Sequence, residues 1–262
     1  MGTTRIPDGG RHRENATTRN DRRKTSGSNR LDDRRSRKPP VKTVLCFTAV
    51  SGLALILLTI VLVLPWRWFA PPTSAFMLRQ RLVNDITVHY RWTPWNRISP
   101  YLAIAVVASE DQKFPLHHGF DFESIAKVLE KEGGPRRGAS TISQQVAKNL
   151  FLWPGKTYIR KGLEAYLTLL IETLWPKRRI LEIYLNVAEF GPGVFGAGAA
   201  GPRLFGKPAL RLSLWEASLL AAVLPNPQRM SAQSPSDYVR HRAWEIRSWV
   251  QKLGGANYLE GI

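Results

Sequence analysis

The chain has 262 residues, 44% of them hydrophobic, which is enough for one sizeable domain plus an extra segment. Its 38 Lys and Arg against 20 Asp and Glu give a formal charge of +18, so the partners to expect are anionic, nucleic acid or an anionic membrane being the obvious candidates. The single cysteine, Cys46, excludes a disulfide framework.

Residues 1–42 hold about a third of all Lys and Arg, few aromatics, and much Ser, Asn, Asp and Gly. Such a stretch cannot bury enough apolar surface to order itself, so a basic disordered tail is expected. Next comes VLCFTAVSGLALILLTIVLVL, residues 44–64, without a charge. At about 1.5 Å of rise per residue this run spans the hydrocarbon core of a bilayer. A signal peptide is the rival reading, but the run is longer than a typical h-region, lies forty residues in, and has no small-residue cleavage site after it. The following PWRWFAPP offers Trp66, Trp68 and Phe69 as an interfacial aromatic belt. A transmembrane helix over 43–65 follows, with the basic tail in the cytoplasm and the rest of the chain on the outer face. Cys46 then lies inside the span, which leaves the outer domain without thiolate chemistry.

Residues 66–99 read as a Pro-rich connector in which ITVHYRW alternates well enough for a short strand. From Tyr101 onward the periodicity is mostly helical, with helices expected near 100–112, 121–131, 139–151, 157–174, 177–187, 194–204, 213–224 and 235–253. Ser213 with Glu216 three residues later is a capping-box signature, and Pro225 stops that helix. A compact, mainly α domain over 100–262 is expected, with a small β contribution near the membrane.

Several motif matches fail on context. GPGVFG (191–196) fits G-x-G-x-x-G, yet the residues before it look helical, so a flexible, close-packed loop replaces a dinucleotide site. GKT at 155–157 has Leu150 where a phosphate loop needs glycine. SIAK (124–127) fits S-x-x-K, but no K-T-G companion exists. His117 and His118 are adjacent rather than one helical turn apart, which disfavours a histidine metal cage. A Mg²⁺ ion carried by a substrate's phosphates is the one cofactor the chemistry admits.

What survives is a pair of glutamates about fifty residues apart. Glu110 ends an apolar run and precedes Asp111 and HHGFD, where Gly119 offers a turn and Asp121 a helix cap. Glu164 follows Arg160 and Lys161 by four and three residues. Between them Thr141, Gln145 and Lys148, spaced i, i+4, i+7, share one helical face. Each feature alone reads blandly: a solvated helix end, a surface ion pair worth a few tenths of a kcal/mol, a wet helix face. Together they suggest chemistry on a sugar carrying phosphate.

SEDQKFPLHHGFD, RGASTISQQVAKNLFL, RKGLEAYLTLLIE, KRRILEIYLNVAEFGPGVFG and LLAAVLPNP, in that order, resemble the motif series of glycosyltransferase family 51, the peptidoglycan glycosyltransferases. The resemblance runs from about Phe76 to the C-terminus and is closest to the stand-alone, monofunctional members. It implies a lysozyme-like helical fold with a small jaw subdomain beside the membrane, and polymerisation of lipid II into β-1,4 glycan strands with release of undecaprenyl diphosphate. It further implies Glu110 as the base that takes the proton of the acceptor 4-hydroxyl. Asp111, Phe114 and His117 match the rest of the first motif. Thr141, Gln145, Lys148 and Asn149 match a donor-site stripe, and Arg160, Lys161 and Glu164 the second acidic motif. The implied partners are lipid II, the growing glycan strand, membrane lipid and proteins of division or elongation, not nucleic acid; the implied location is the bacterial cytoplasmic membrane. GAGAAGPRLFGK departs from the family pattern at Gly198, Pro202 and Leu204. A lysozyme-like wall hydrolase and a membrane-tethered polyanion-binding module are the two rival readings.

Overall fold

The computed structural model describes residues 41–123, 126 and 140–262. Most of the basic tail and nearly all of the helix expected over 121–131 lie outside the described residues. The chain divides into two compact units, Met1–Val50 and Ser51–Ile262, and everything that bears on the site lies in the second.

Helix α1, Val41–Val63, carries exposed Leu, Val, Ile and Phe along its length, and it belongs to the one stretch of the described residues long and apolar enough to cross a membrane. The 3-10 turn Leu64–Arg67 ends it. From there the chain is fastened to the domain. Arg179 donates to the carbonyls of Trp66 at 2.9 Å and Phe69 at 2.6 Å, Arg67 donates to the carbonyl of Leu174, and the hydroxyls of Thr59 and Tyr166 meet at 2.5 Å.

The expected connector contains a helix that periodicity did not reveal, α2 at Ala75–Leu82, whose Ser74 cap accepts from the Met77 amide. Strand β1, His89–Tyr90, falls inside the expected ITVHYRW arm. It pairs in parallel with β3, Val194–Phe195, which is antiparallel to β2, Glu189–Gly191. GPGVFG is therefore the β2–β3 hairpin, and the helix expected from 194 begins later, as α7 at Ala197–Phe205. Its glycines answer to close approach. A Cβ on Gly193 would stand 2.4 Å from the Thr87 carbonyl oxygen, and one on Gly198 2.2 Å from the Arg91 carbonyl oxygen. The unusual Gly198 thus lets α7 press against the end of β1.

Helices α3 (Pro100–Glu110) and α8 (Leu214–Val223) form the centre. Both are apolar nearly all round, as a helix buried on every side must be: Leu102 through Ala108 and Ala217 through Val223 are all buried. The Ser213–Glu216 capping box forms as the sequence signature requires. Amphipathic α9, Asp237–Lys252, covers this pair. A second group comprises α4 (Ile142–Phe151), α5 (Tyr158–Leu174) and α6 (Lys177–Val187), with α4 against both others. The molecule is mainly helical, and the end of α3 meets the start of α4.

Candidate active site

Glu110 is the last residue of α3, where the buried helix runs out of apolar side chains and the backbone turns away at Asp111. The turn is built, not loose. Both Asp111 oxygens lie 2.9–3.0 Å from His117 Nε2, and Oδ2 also accepts the Ile142 amide at 2.9 Å, the first N–H of α4. Because His117 Nδ1 accepts the Gly119 amide at 3.1 Å, the ring proton sits on Nε2 and is given to Asp111. Gly119 adopts φ +88°, as the expected turn demands, and its carbonyl accepts the Thr141 hydroxyl at 2.7 Å. Thr141 also caps α4 by accepting the Gln144 amide, while Gln144 returns a bond to the Thr141 amide. The first motif and the N-terminus of α4 are thereby locked together.

This geometry adds structural contacts to the expected roles. Asp111, Phe114, His117 and Thr141 were all expected at the substrate. Asp111 and Thr141 are buried and committed to the turn and the cap, and His117 is hydrogen-bonded on both ring nitrogens. Phe114 is fully buried beneath the Lys177 ammonium, 4.6 Å from the ring centre. Asp111 and Thr141 also line the cleft beside Glu110.

Gln145 and Lys148 do face the glutamates. Gln145 Nε2 donates to Glu110 Oε2 at 2.9 Å, and its Oε1 accepts the Tyr184 hydroxyl of α6 at 3.0 Å, which fixes the amide's orientation. Tyr184 is completely buried, and burial together with the Glu110 and Asp111 charges pushes its phenol well above its ordinary value. It therefore remains a neutral donor. Burial raises the Glu110 carboxyl above the usual carboxylate range; the Gln145 bond, the Arg242 charge, the Ser109 hydroxyl and the Lys148 charge each pull it back. A carboxyl whose pKa is raised at the edge of a cleft is chemically suited to accept a proton.

Lys148, half-buried, has its ammonium 5.7 Å from the centre of the Phe76 ring. Burial lowers its pKa, opposed first by Glu164, while Arg160, Glu110 and Lys161 also act on it. It thus stands within the field of both glutamates and joins them. Glu164 is not on the surface, as the bland reading had it. It is 2% exposed, with Arg160 at 2.6 Å on one oxygen and Lys161 on the other. Arg160 is buried with it, whereas the Lys161 side chain is half exposed and free to meet an anion. Asn149 is half-buried beside Lys148 in the sequence of α4.

A cleft of about 280 Å³ opens beside Glu110, walled by Ser109, Asp111, Asp121, Ser140, Thr141 and Trp249. Ser109, Tyr184, Arg242 and Trp249 were not singled out from the sequence. Ser109 opens the motif SEDQKFPLHHGFD and Tyr184 lies in KRRILEIYLN, whereas Arg242 and Trp249 reach the site from far along the chain. Among the described residues no group of three or more His, Cys, Asp or Glu could hold a metal ion, and the Glu164 oxygens are already taken by cations. The site does not fit a metal held by the protein on that side.

Comparison with known proteins agrees in kind. A family model described as Transglycosylase matches residues 79–250. The chain is similar to a biosynthetic peptidoglycan transglycosylase of Pseudomonas savastanoi pv. phaseolicola, 52% identical over 85% of this chain and 94% of the relative. It is likewise similar to proteins of that name from Pseudomonas fluorescens, 53% identical over 78% of this chain and 88% of the relative, and from Xanthomonas campestris pv. campestris, 46% identical over 89% and 99%.

Proposed function

The chain belongs to the transglycosylase family and is a peptidoglycan glycosyltransferase of cell-wall synthesis, and from that premise we propose how its residues divide the reaction and where the enzyme works. Its substrates are lipid II and the growing glycan strand. The single observation that carries the assignment is the reach of α4, which sets an amide on Glu110 and, one turn on, an ammonium between Glu110 and the Glu164 cluster.

Glu110 takes the proton from the acceptor sugar's 4-hydroxyl as that oxygen attacks the donor's anomeric carbon. The carbon–oxygen bond to the lipid diphosphate breaks as the new bond forms on the opposite face, so an α-linked donor yields a β-1,4 linkage. Negative charge collects on the departing diphosphate, and Lys148 and Lys161 meet it. Glu164 keeps Arg160 and Lys161 in place. Gln145, fixed by Tyr184, and Asp111, fixed by His117, aim Glu110. A divalent cation, where one takes part, would arrive with the diphosphate rather than in a cage of this chain's carboxylates.

The protein is membrane-anchored through its apolar N-terminal helix. The excess of Lys and Arg before that helix supports an N-terminus in the cytoplasm and a catalytic domain on the outer face of the bacterial inner membrane. Proteins of the division or elongation machinery are the partners proposed there. Incubation of the full chain with lipid II and with finished glycan tests the function: strand growth from lipid II is expected, and release of fragments from finished glycan without strand growth would overturn it. For the topology, a reporter fused after Ile262 should be active only outside the cytoplasm.

A further inference from the structure

We propose that Arg242, acting through Ser109, is a positioning residue that keeps Glu110 ready to accept a proton at Oε1. The proposal rests on Glu110 as the base and adds to that reading which of its oxygens reacts and what holds it charged.

The two carboxylate oxygens are unequally engaged. Oε2 receives the Gln145 amide at 2.9 Å. Oε1 has only the Ser109 hydroxyl at 3.4 Å, a long and weak bond. The lone pairs of Oε1 are thus the freer ones, and Ser109 and Glu110 both border the cleft. Ser109 is itself held from behind: Arg242 Nη2 of α9 reaches its Oγ at 3.3 Å. The hydroxyl accepts from the guanidinium and donates to the carboxylate, so the three groups are polarised in one direction.

Nothing else explains where Arg242 sits. Its Nε is buried without a hydrogen-bond partner, and among the described residues no ion pair ties it to a carboxylate. Arg160 and Arg247 also bury an unpartnered Nε, but Arg160 is paired with Glu164 and Arg247 stacks on Trp244. A half-buried guanidinium whose Nε is buried without a partner calls for a reason, and the charge it presents to Glu110 is one. The groups facing Glu110 are Ser109 and Asp111 beside it on the chain, Gln145 and Lys148 from α4, Tyr184 from α6 and Arg242 from α9. Lys113 and Asp121 also line the cleft; of the two cations whose charge acts on the Glu110 carboxyl, Arg242 acts more strongly than Lys148. Lys148 is also the less dependable: burial weakens its hold on its proton, and bound diphosphate claims its charge. A guanidinium stays charged throughout the working range.

The test is the pH profile of lipid II polymerisation by the full chain, for wild type, R242Q, R242K, S109A and E110Q. Loss of the Arg242 charge lets burial raise the Glu110 pKa further. The acid limb of kcat/KM in R242Q should therefore move up by about one pH unit, with rates about tenfold down on that limb and converging with wild type at alkaline pH. R242K should fall between, since it keeps the charge and loses the fork. S109A should shift the limb in the same direction by less. Binding of a lipid II analogue with its 4-hydroxyl blocked should be unchanged in all of them. A uniform drop in rate at every pH, or an unmoved limb in R242Q, would overturn the proposal and leave Arg242 a packing residue. Should R242Q fail to fold, an unmoved limb in S109A overturns it equally. Wild-type polymerisation by E110Q would remove the base reading and this proposal together, whereas an inactive E110Q beside an unmoved R242Q limb removes this proposal alone.

Discussion

The two glutamates have the same side chain and opposite surroundings. Glu110 ends a helix, faces a cleft, and is met by an amide and a hydroxyl, neutral groups that cannot cancel its charge. Glu164 lies in mid-helix, is 2% exposed, and is answered by two cations from its own preceding turn. Glu110 therefore meets neutral groups at both oxygens, whereas Glu164 is braced between two cations. The environment, not the residue type, assigns the roles.

The sharpest way to break that contrast is Glu110→Gln. The amide keeps the shape and cannot take a proton, so strand growth should fall by about 10²–10⁴-fold, while affinity for a 4-hydroxyl-blocked lipid II analogue persists. The variant should also be no less stable than wild type. An acid whose folded-state pKa is raised by burial is stabilising only while protonated, and that contribution is lost as pH climbs from the ordinary carboxylate range through the raised value. Glu110→Gln escapes this loss, so its melting temperature should equal or exceed wild type above that window, and the gap should close as pH falls below it.

Glu164→Gln should do the reverse. It strands the buried Arg160 charge, and removing one partner of a buried ion pair costs roughly 3–5 kcal/mol, visible as a lower urea midpoint. If Glu164→Gln melted normally and only turnover fell, Glu164 would be a chemical participant and the contrast would fail. Lys161→Ala is expected to be milder. Its half-exposed ammonium should contribute about tenfold to turnover, below the ~10²-fold of a fully enclosed oxyanion donor, with less effect on donor binding. Equal loss in both would make it a ground-state clamp. Smallest should be Tyr184→Phe, which frees the Gln145 amide to turn and removes one hydrogen bond worth about 1 kcal/mol, or about fivefold in rate.

How much of this could be read from the chain follows from distance along it. Helices with strong periodicity or clear caps, such as Lys177–Val187 and Leu214–Val223, fall where expected because their signals are local. Helix α2 was hidden by its two-turn length among prolines, although Ser74 is a proper cap. The β2–β3 hairpin was read partly as helix because pairing with His89–Tyr90, about a hundred residues away, decides its conformation. The two glutamates and their α4 neighbours were legible as polar residues in apolar surroundings. Burial was not, so the depth at which Glu164 is paired with Arg160 and Lys161, and the bond from Thr141 to the Gly119 carbonyl, could not be read from the chain. Arg242 lies 133 residues from Ser109, on a helix already rich in charge, and nothing local distinguishes it from its neighbours.

The fastening of the span to the domain has a mechanical consequence. Thr59, Trp66, Arg67 and Phe69 all bond to α5, to the carbonyl at its end, or to α6, and α5 carries Arg160, Lys161 and Glu164. Within Ser51–Ile262 the last turns of the apolar helix and the residues after it are therefore held to α5 and α6 at several points. A strain imposed on those turns would pass to α5, and so to Lys161 and Glu164, rather than being absorbed in a loose linker.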